Sequence, residues 1–527
     1  VRNLVEFIMR SGDLSVSSTG LKDANAMQEG TRIHKKLQRK AGAGYHAEVA
    51  LSHTSEVTYD GLTFQITVEG RADGIYSDEL GWNIDEIKGI YRDIHTLSEA
   101  IPVHRAQALC YGLIYALQNT LDGIGIRITY CHIPTEEVRY FHEFISFAEL
   151  QNWYDTLLAS YAKWASWHIR WQEERNNNIK SLEFPFSYRD GQNTLVKGVY
   201  QSILRKKRLY IEAPTGVGKT ISTIFPAVKS LGENVSEKIF YLTAKTITRT
   251  VAEDTLFLLQ EKKVPLKSVT LTAKEKICFL EKPACNPTQC DYAKGHFDRV
   301  NDAVFDLLTH ETIMTRETIL EYAKKHIVCP FEMALDTATW CDFIIGDYNY
   351  AFDPTASLKR FFSVDKENNF VFLIDEAHNL VSRARDMYSA SLTKEDFLAM
   401  KKLVKVRSRR VANALDGCNR ALLELKRNCD ELEKFDFLET ESLVLKLMRL
   451  STIMEEFFQE QEHPHPSFPT TPLPPSDKEQ LLNFYFEIRS FQNWWMSIIS
   501  FMAIILPMDT LFYIYNVWIH LRIWISI

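Results

Sequence analysis

The feature that most constrains the fold is a glycine-containing segment, LYIEAPTGVGKT, at residues 209–220. The apolar run before the loop predicts a strand, and the ISTIFPAVKSL that follows predicts a helix. At such a helix N-terminus, backbone N–H groups bind phosphate oxygens, a lysine contacts the β- and γ-phosphates, and a hydroxyl binds Mg²⁺. The sequence therefore predicts a nucleotide-binding loop in an α/β protein. Its residues are Ala213, Pro214, Thr215, Gly216, Val217, Gly218, Lys219 and Thr220.

Residues 370–379, FVFLIDEAHN, supply the second half of such a site. The apolar run predicts a strand that ends at Asp375 and Glu376. We expect Asp375 to hold the metal, directly or through water, and Glu376 to polarise the attacking water. An acidic pair alone is weak evidence, because most such pairs lie on solvated surfaces. The pair gains weight here because it follows a strand and lies downstream of Lys219.

Composition excludes several other classes of protein. The 527 residues carry a net charge of −7, which excludes a uniformly basic nucleic-acid binder but allows a local basic groove. Nine cysteines are too few for a disulfide scaffold, and residues 1–20 contain no signal-peptide pattern. We therefore expect a reducing, cytoplasmic protein with roughly three to four domains.

The nucleotide-binding loop at 209–220 and the acidic segment at 370–379 resemble motifs I and II of superfamily 2 helicases. Two further segments fit that resemblance. FSYRDGQ at 186–192 resembles the segment that reads adenine, which implies Arg189 and Gln192 as ATP contacts. YLTAKTITRTVAED at 241–254 resembles motif Ia, which contacts the DNA strand. The resemblance implies a RecA-like parallel sheet over residues 184–391, with ATP hydrolysis as the activity and ATP and Mg²⁺ as cofactors.

Four cysteines lie between the nucleotide motifs, at spacings of C-x6-C, C-x4-C and C-x38-C. The C-x2-C knuckles that are usual in structural zinc sites do not occur among them. Loosely spaced thiolates suit a [4Fe–4S] cluster, although four unrelated buried cysteines fit the spacing equally well. The candidates are Cys278, Cys285, Cys290 and Cys329.

The segments around these cysteines resemble the iron–sulphur domain, here inserted at about 274–335, of XPD/DinG-like DNA helicases. The resemblance implies the four cysteines as cluster ligands and makes Cys341 a strand residue. It also implies a helical arch domain over 392–491, with a proline-rich loop at 462–477, and translocation that usually runs 5′ to 3′. The expected partner is single-stranded or forked DNA, the expected process is DNA repair, and the expected setting is the bacterial cytoplasm. Protein partners are not identified by the sequence.

Three segments near the amino terminus form an ordered set. VEGRADGIY places Asp73 at a strand–turn, and GWNIDEIKGI places Glu86 and Lys88 on one face of a strand. HRAQALCYGLIYA places Gln107 and Tyr111 on one face of a helix. Carboxylates on adjacent strands can hold Mg²⁺ or Mn²⁺, which activates water for attack on a phosphodiester. The lysine would orient that water or neutralise the developing charge.

This set resembles the RecB-like branch of the PD-(D/E)XK nucleases over residues 27–150. The resemblance implies an α/β restriction-endonuclease-like domain over 1–178, with His34 in GTRIHKKLQ as a further metal ligand. Glu48 in YHAEVALS is an additional acid, for which we favour a plain strand position. A nuclease fold that has become a DNA-binding platform is the alternative, which the intact acidic pair and lysine disfavour.

The last segment, 492–527, is apolar and changes composition abruptly. A membrane helix over 497–527 is one interpretation, but Pro507, Asp509 and Arg522 interrupt the run, and we expect no stable membrane partner. A buried core segment is a second interpretation. A shifted reading frame close to residue 492 is the interpretation we favour.

After residue 391 too little chain remains for a second motor domain, which this type of helicase requires. We therefore expect a C-terminally truncated fragment that binds nucleotide weakly and does not unwind DNA. The alternative is a non-enzymatic remnant that binds DNA or senses the state of its cluster.

Overall fold

The computed structural model forms two compact units. The first contains Val1–Asp347 and Val364–Asp375, and the second contains Tyr348–Ser363 and Glu376–Ile527. Within these bounds the structure describes residues 1–14, 19–42, 44–79, 81–90, 93–133, 135–214, 216–244, 246–354, 356–362, 368–427, 441–462 and 473–505.

The amino-terminal part of the first unit is built on a mixed sheet in the order β1-β2-β3-β4-β5. Its strands are β1 Tyr45–Tyr59, β2 Leu62–Asp78, β3 Gly81–Ile90, β4 Gly123–His132 and β5 Val138–Ser146. The helices of this part are α1 Arg2–Met9, α2 Thr19–Lys40, α3 Pro102–Asn119 and α4 Phe147–Lys180, with a short 3₁₀ turn at Ile94–Thr96.

Strands β3 and β4 are parallel, whereas the other neighbours are antiparallel. A parallel pair needs a crossover connection, and α3 provides it. The side chains of α3 complete the core over the buried faces of β3 and β4, where Ile84, Leu113 and Ile126 are almost fully buried. The sheet therefore presents the acidic strands β2 and β3 at its middle, next to α3.

The rest of the first unit surrounds a parallel sheet in the order β10-β6-β9-β7-β8. The predicted α/β architecture with a parallel sheet is thus confirmed. The strands are β6 Lys238–Leu242, β7 Ser268–Thr270, β8 Ile313–Met314, β9 Phe343–Gly346 and β10 Phe370–Ile374. The helices are α5 Gln192–Leu204, α6 Lys219–Gly232, α7 Thr246–Glu261, α8 Lys274–Ile277, α9 His296–His310, α10 Arg316–His326 and α11 Pro330–Trp340.

The strand predicted at 209–213 is wrong. Residues 207–214 form no strand, and Tyr210 is 87% exposed. A strand exists only where a neighbour satisfies its backbone groups. Within the described part of the chain, β10 is the outer strand on its side of the sheet, and no strand pairs with residues 207–214.

Helix α4 joins the two sheets, so the predicted boundary between residues 178 and 184 does not separate compact units. Tyr154 in its first half is buried in the core of the mixed sheet. Ile179 in its last turn is buried in the core of the parallel sheet. Between them, Trp171 Nε1 donates a hydrogen bond to Asp342 Oδ2 at 2.9 Å. Both sheets therefore share one helix, and the unit is continuous across it.

The regular secondary structure among the described residues of the second unit is helical. The helices are α12 Asn349–Phe352, α13 Leu380–Met387, α14 Lys394–Val404, α15 Arg409–Arg427, α16 Glu441–Glu462 and α17 Pro475–Ile505, with a 3₁₀ turn at Ala377–Asn379. This unit begins earlier than the predicted boundary at 392. The assignment of 392–491 as an arch domain stays a prediction.

Helix α17 begins inside the predicted proline-rich loop 462–477 and runs through residue 492, where the apolar tail was expected to begin. A proline is tolerated in the first turn of a helix, which allows α17 to start at Pro475. Residues 463–472 and 506–527 lie outside the described residues. None of the described helices combines the length and apolar character needed to cross a membrane.

Candidate functional site

The nucleotide loop ends at the first residue of α6. Gly216 and Gly218 have φ angles of 87° and 76°, in the left-handed region that favours glycine. A Cβ at Gly218 would lie 2.9 Å from Gln192 Nε2, so a larger residue there would displace the end of the Gln192 side chain. Ala213 and Pro214 begin the loop in irregular structure, while Thr215 lies outside the described residues. Lys219 and Thr220 open the helix, where N–H groups are free to meet an anion.

Arg189 and Gln192, which the sequence analysis predicts as ATP contacts, hydrogen-bond to the backbone of this loop. The Arg189 guanidinium donates to the Gly216 carbonyl. The buried Gln192 donates to the Val217 carbonyl at 3.1 Å and to Ser222 Oγ at 3.0 Å. Sequence reasoning missed a nearby aromatic pair, Phe184 and Tyr188, whose rings stack at 4.4 Å. The signal was present as two aromatic residues just before the RDGQ segment.

Lys219 begins α6 and Asp375 directly follows β10, so each belongs to one of the two segments that are predicted to form the site. Lys219 Nζ donates to the Ala213 carbonyl at 3.1 Å, which holds the ammonium group across the loop. The Asp375 amide donates to the Leu242 carbonyl at 2.9 Å, so Asp375 lies at the carboxyl end of the sheet. Ligands of open α/β sheets bind at that end. Helix α6 packs against both β6 and β10.

Glu376 follows directly and has a φ of 52°, which is strained for a residue other than glycine. Its carbonyl accepts a hydrogen bond from the Tyr348 hydroxyl at 3.1 Å, and its carboxylate lies 3.5 Å from His378 Nδ1. Strain of this kind concentrates at functional sites.

The four predicted cysteines line a single cavity, and none of them forms a disulfide. Cys278 ends α8, Cys285 and Cys290 lie in the loop that follows, and Cys329 precedes α11. The remaining lining is mainly apolar, with Leu14, Phe279, Ala284, Tyr292, Ala293, Pro330, Phe331 and the Lys274 side chain. Cys341 does not line this cavity; it is buried two residues before β9 and is therefore not itself a strand residue.

The Lys274 side chain and backbone N–H groups at the start of α11 interact with the thiols of this cavity. Burial acts to lower the pKa of Lys274, but Cys285, Glu332 and Cys329 together outweigh it and raise that pKa above its usual value. Burial raises the pKa of the Cys329 thiol to about 11, while the N–H groups of Phe331 and Glu332 at the start of α11 act in the opposite direction. An ion bound by the sulphurs would deprotonate them outright. The donor set therefore fits a sulphur-ligated metal group.

A second group of ligating side chains lies where α2 meets strands β1 and β2 of the mixed sheet. His34 on α2, Glu48 on β1 and Asp73 on β2 bring their ligand atoms within 4.8 Å of one another. Within the described residues this is the one set of three or more such side chains close enough to share a single ion. His34 Nδ1 lies 3.5 Å from Asp73 Oδ1, and Gln38 Nε2 donates to Glu48 Oε1 at 3.0 Å.

Glu48 is not the plain strand residue that we favoured. It lies opposite Asp73, between the ladder pairs Ala47–Gly74 and Val49–Ala72. Its φ of 55° departs from strand geometry at this one position. The Asp73 carboxylate is fixed from the other side, because Oδ2 accepts a hydrogen bond from the Ile87 amide at 2.8 Å.

Glu86 and Lys88 lie beside this group on β3. Lys88 Nζ contacts Glu86 Oε1 at 2.6 Å, whereas the buried Glu86 Oε2 has no hydrogen-bond partner. Burial raises the pKa of Glu86 to about 7, and the Asp73 carboxylate acts in the same direction, against Lys88. A buried carboxylate oxygen without a partner fits a site that receives a cation.

Gln107 and Tyr111 are buried one turn apart on α3. A Cβ at Gly70 would lie 2.8 Å from the Tyr111 hydroxyl oxygen, so this tyrosine packs directly on the β2 backbone. Burial raises the pKa of Tyr111 above its usual value, and Glu86 and Asp73 add to the shift. Asp85, which the sequence analysis did not single out, is a structural acid: it accepts from the Tyr45 hydroxyl at 2.9 Å and from Arg127 Nη2 at 2.7 Å.

Comparison with known proteins matches residues 243–397 to the DEAD_2 family. The regulator of telomere elongation helicase 1 homolog of Caenorhabditis briggsae is 24% identical over 332 residues, which cover 53% of this chain and 33% of that protein. The XPD/RAD3 helicase subunit of general transcription and DNA repair factor IIH from Saccharomyces cerevisiae is 27% identical over 197 residues, covering 37% of this chain and 22% of that protein.

A solved structure of a truncated XPD aligns with 58% of this chain and 82% of its own, at a TM-score of 0.35 and 16% identity. The chain spans a third or less of the length of the two curated relatives. Both relatives are eukaryotic, and a bacterial origin of this chain stays a prediction.

Proposed function

We propose that this chain contains the nucleotide-binding half of an ATP-driven DNA helicase with a [4Fe–4S] cluster, fused to a metal-dependent DNA nuclease. The DEAD_2 segment and the curated relatives support an XPD-like superfamily 2 helicase. The names of those relatives include helicase and DNA repair functions, and we propose both for this chain.

One observation carries the ATP site: Arg189 and Gln192, from a separate segment, hydrogen-bond to the backbone of the loop that opens α6. They brace the loop at the N-terminus of α6, whose N–H groups would bind a phosphate. Lys219 would move from the Ala213 carbonyl to the β- and γ-phosphates. Asp375 and the Thr220 hydroxyl would hold the magnesium, and Glu376 would orient and polarise the attacking water. The exposed Tyr188 ring offers a face for the adenine base.

The proposal of an iron–sulphur cluster rests on the cavity that the four cysteines share. A single zinc ion with bonds of about 2.3 Å needs sulphurs roughly 3.8 Å apart. Among the described residues, the four sulphurs do not all lie within 4.8 Å of one another, as the ligand atoms of His34, Glu48 and Asp73 do. The wider spacing favours a polynuclear iron group over zinc. The thiolates would hold its irons, and the apolar walls would limit access of water to it.

Nucleotide binding and turnover test the motor. Lys219→Ala should weaken MgATP binding at least about tenfold, because it removes the cation beside the phosphates. Glu376→Gln should keep binding and lose DNA-stimulated hydrolysis. Lys197→Ala, an exposed lysine on α5, is the matched control and should behave as wild type. Unchanged MgATP binding in Lys219→Ala would refute the site.

A nuclease is the second candidate function, and the convergence of His34, Glu48 and Asp73 with the unpartnered Glu86 oxygen favours it. These side chains would hold Mg²⁺ or Mn²⁺, and Lys88 would neutralise charge on the scissile phosphate. Cleavage of single-stranded DNA should require metal and disappear in Asp73→Ala and Lys88→Ala. Glu56→Ala, an exposed acid on β1, should retain it. DNA binding without any metal-dependent cleavage in the wild-type chain would favour the non-enzymatic alternative.

A further inference from the structure

The first fourteen residues connect the core of the mixed sheet to the cysteine cavity. Helix α1 buries Val5 in the core of the mixed sheet and places Phe7 against Trp164, with ring centroids 4.9 Å apart. The chain then leaves the helix at Arg10. Residues 10–14, which we name the amino-terminal strap, run along α9 and the loop before it.

The strap is held by paired hydrogen bonds rather than by loose contact. The Leu14 amide donates to the Ala293 carbonyl at 2.7 Å, and the Phe297 amide donates to the Gly12 carbonyl at 3.0 Å. Gly12 N–H donates to Asp298 Oδ1 at 2.8 Å, and Gly295 N–H donates to Asp13 Oδ1 at 2.7 Å.

Arg10 anchors the start of the strap. Its guanidinium contacts Asp336 Oδ2 on α11 at 2.7 Å and donates from Nε to Asn301 Oδ1 on α9 at 3.1 Å. Asn301 in turn donates to the Phe7 carbonyl at 2.7 Å. The strap is therefore joined to α9, which follows the loop of Cys285 and Cys290, and to α11, which begins directly after Cys329.

Leu14, the last residue of the strap, lines the cysteine cavity. It is 6% exposed and lines the same cavity as the four cysteines. Every other lining residue comes from residues 274–331, so Leu14 is the contribution of the amino-terminal domain to the cavity wall.

We propose that the amino-terminal strap is a wall of the cluster site, with Leu14 as a positioning residue that excludes water and dissolved oxygen from the iron group. This inference rests on the proposed cluster and adds a reciprocal consequence. A group that binds only the closed cavity stabilises the docked strap, and the docked strap slows loss of the group. Cluster binding thereby helps to fix the nuclease-like domain to the motor sheet.

Two measurements test the proposal on the full chain. In the first, Leu14→Asp and the control Leu204→Asp, an exposed leucine on α5, are loaded with iron and sulfide under anaerobic conditions. The visible absorbance of the cluster is then followed in air. Leu14→Asp should lose it roughly tenfold faster than wild type, the size typical of second-layer changes at metal sites. The control should decay at the wild-type rate.

The second measurement needs no variant, so it remains decisive if Leu14→Asp fails to fold. Hydrogen exchange at the amides of Gly12, Leu14, Gly295 and Phe297 is compared between cluster-loaded and cluster-free wild type. Removal of the cluster should speed exchange at these amides by about tenfold, because local opening of the strap becomes easier. Equal exchange, or equal decay of Leu14→Asp and the control, would overturn the role of the strap. A wild-type chain that takes up no iron would instead overturn the proposed cluster itself.

Discussion

Arg175 and Asp342 form a buried ion pair in which the two side chains are only 4% and 3% exposed. Arg175 lies in the second half of α4, and Asp342 lies directly before β9. Asp342 also accepts hydrogen bonds from Trp171 Nε1 and from the Lys267 amide, each at 2.9 Å. One carboxylate therefore joins the helix of the mixed sheet to two strands of the parallel sheet.

Asp342→Asn should destabilise the first unit by about 3–5 kcal/mol, because it leaves the Arg175 charge buried without a counter-charge. The free energy of unfolding in urea measures the effect. Asp60→Asn removes the exposed ion pair with Arg170 and should cost no more than about 1 kcal/mol. A loss of similar size in the two variants would contradict the structural role of the buried pair.

The region where α4 meets the parallel sheet also makes the stability of the first unit depend on pH, through His168 on α4. Burial lowers the pKa of His168 to about 4; Lys238 and Arg175 act in the same direction, and Asp342 opposes them. The unfolded chain, with a pKa of 6.5 at this histidine, binds the proton more readily than the folded chain does. Stability should therefore fall as the pH falls from about 6.5 to about 4.

Thermal melting across that range measures the dependence. His104 and His296, whose pKa values burial also lowers to about 4, contribute with the same sign, so His168→Gln should remove part of the slope. His95→Gln, at an exposed position, should leave the slope unchanged. An unaltered slope in His168→Gln would show that this histidine binds protons equally in the folded and unfolded chain, contrary to the lowered pKa.

Cys278→Ser should lower the iron content of the anaerobically loaded chain, because it removes one of four sulphur ligands. Cys341→Ala, which alters a buried cysteine outside the cavity, should retain iron at the wild-type level. Elemental analysis for iron and zinc on both variants measures this. Zinc in place of iron in the wild-type chain would contradict the cluster assignment.

Glu48→Gln should weaken Mn²⁺ binding about tenfold, because it replaces a charged oxygen ligand by a neutral one. Calorimetric titration of the ion measures the affinity, and Glu56→Gln on the same strand is the matched control. Equal affinities would return Glu48 to the role of an ordinary strand residue.

The sequence predicts the parts of the sites that lie in continuous motifs. The loop at Gly218 and its partner Gln192 are recognisable because the chemistry of phosphate binding demands those residue types at that spacing. The carboxylate at the end of β10 follows from an apolar strand that stops at an acid. The four cysteines are predicted as a group, although their common cavity depends on the fold.

Other features depend on contacts that no local pattern encodes. Glu48 lies close to His34 and Asp73 because its backbone has a positive φ and because β1 pairs with β2 in one register. Leu14 reaches the cysteine cavity through hydrogen bonds to residues about 280 positions later in the chain. The apolar run at Tyr210 has the composition of a strand, but it lacks a paired neighbour among the described residues.

The shared helix α4 also sets where the chain can be divided for separate expression. A cut near residue 182 would separate Ile179 and Trp171 from the parallel sheet against which they pack. The motor piece would then expose apolar side chains of its core beside α6 and β9. A motor piece should therefore begin no later than Phe147 and carry the whole helix. Even then, the face of α4 that contains Tyr154 would be exposed to solvent. Such a piece would tend to aggregate because that face is apolar.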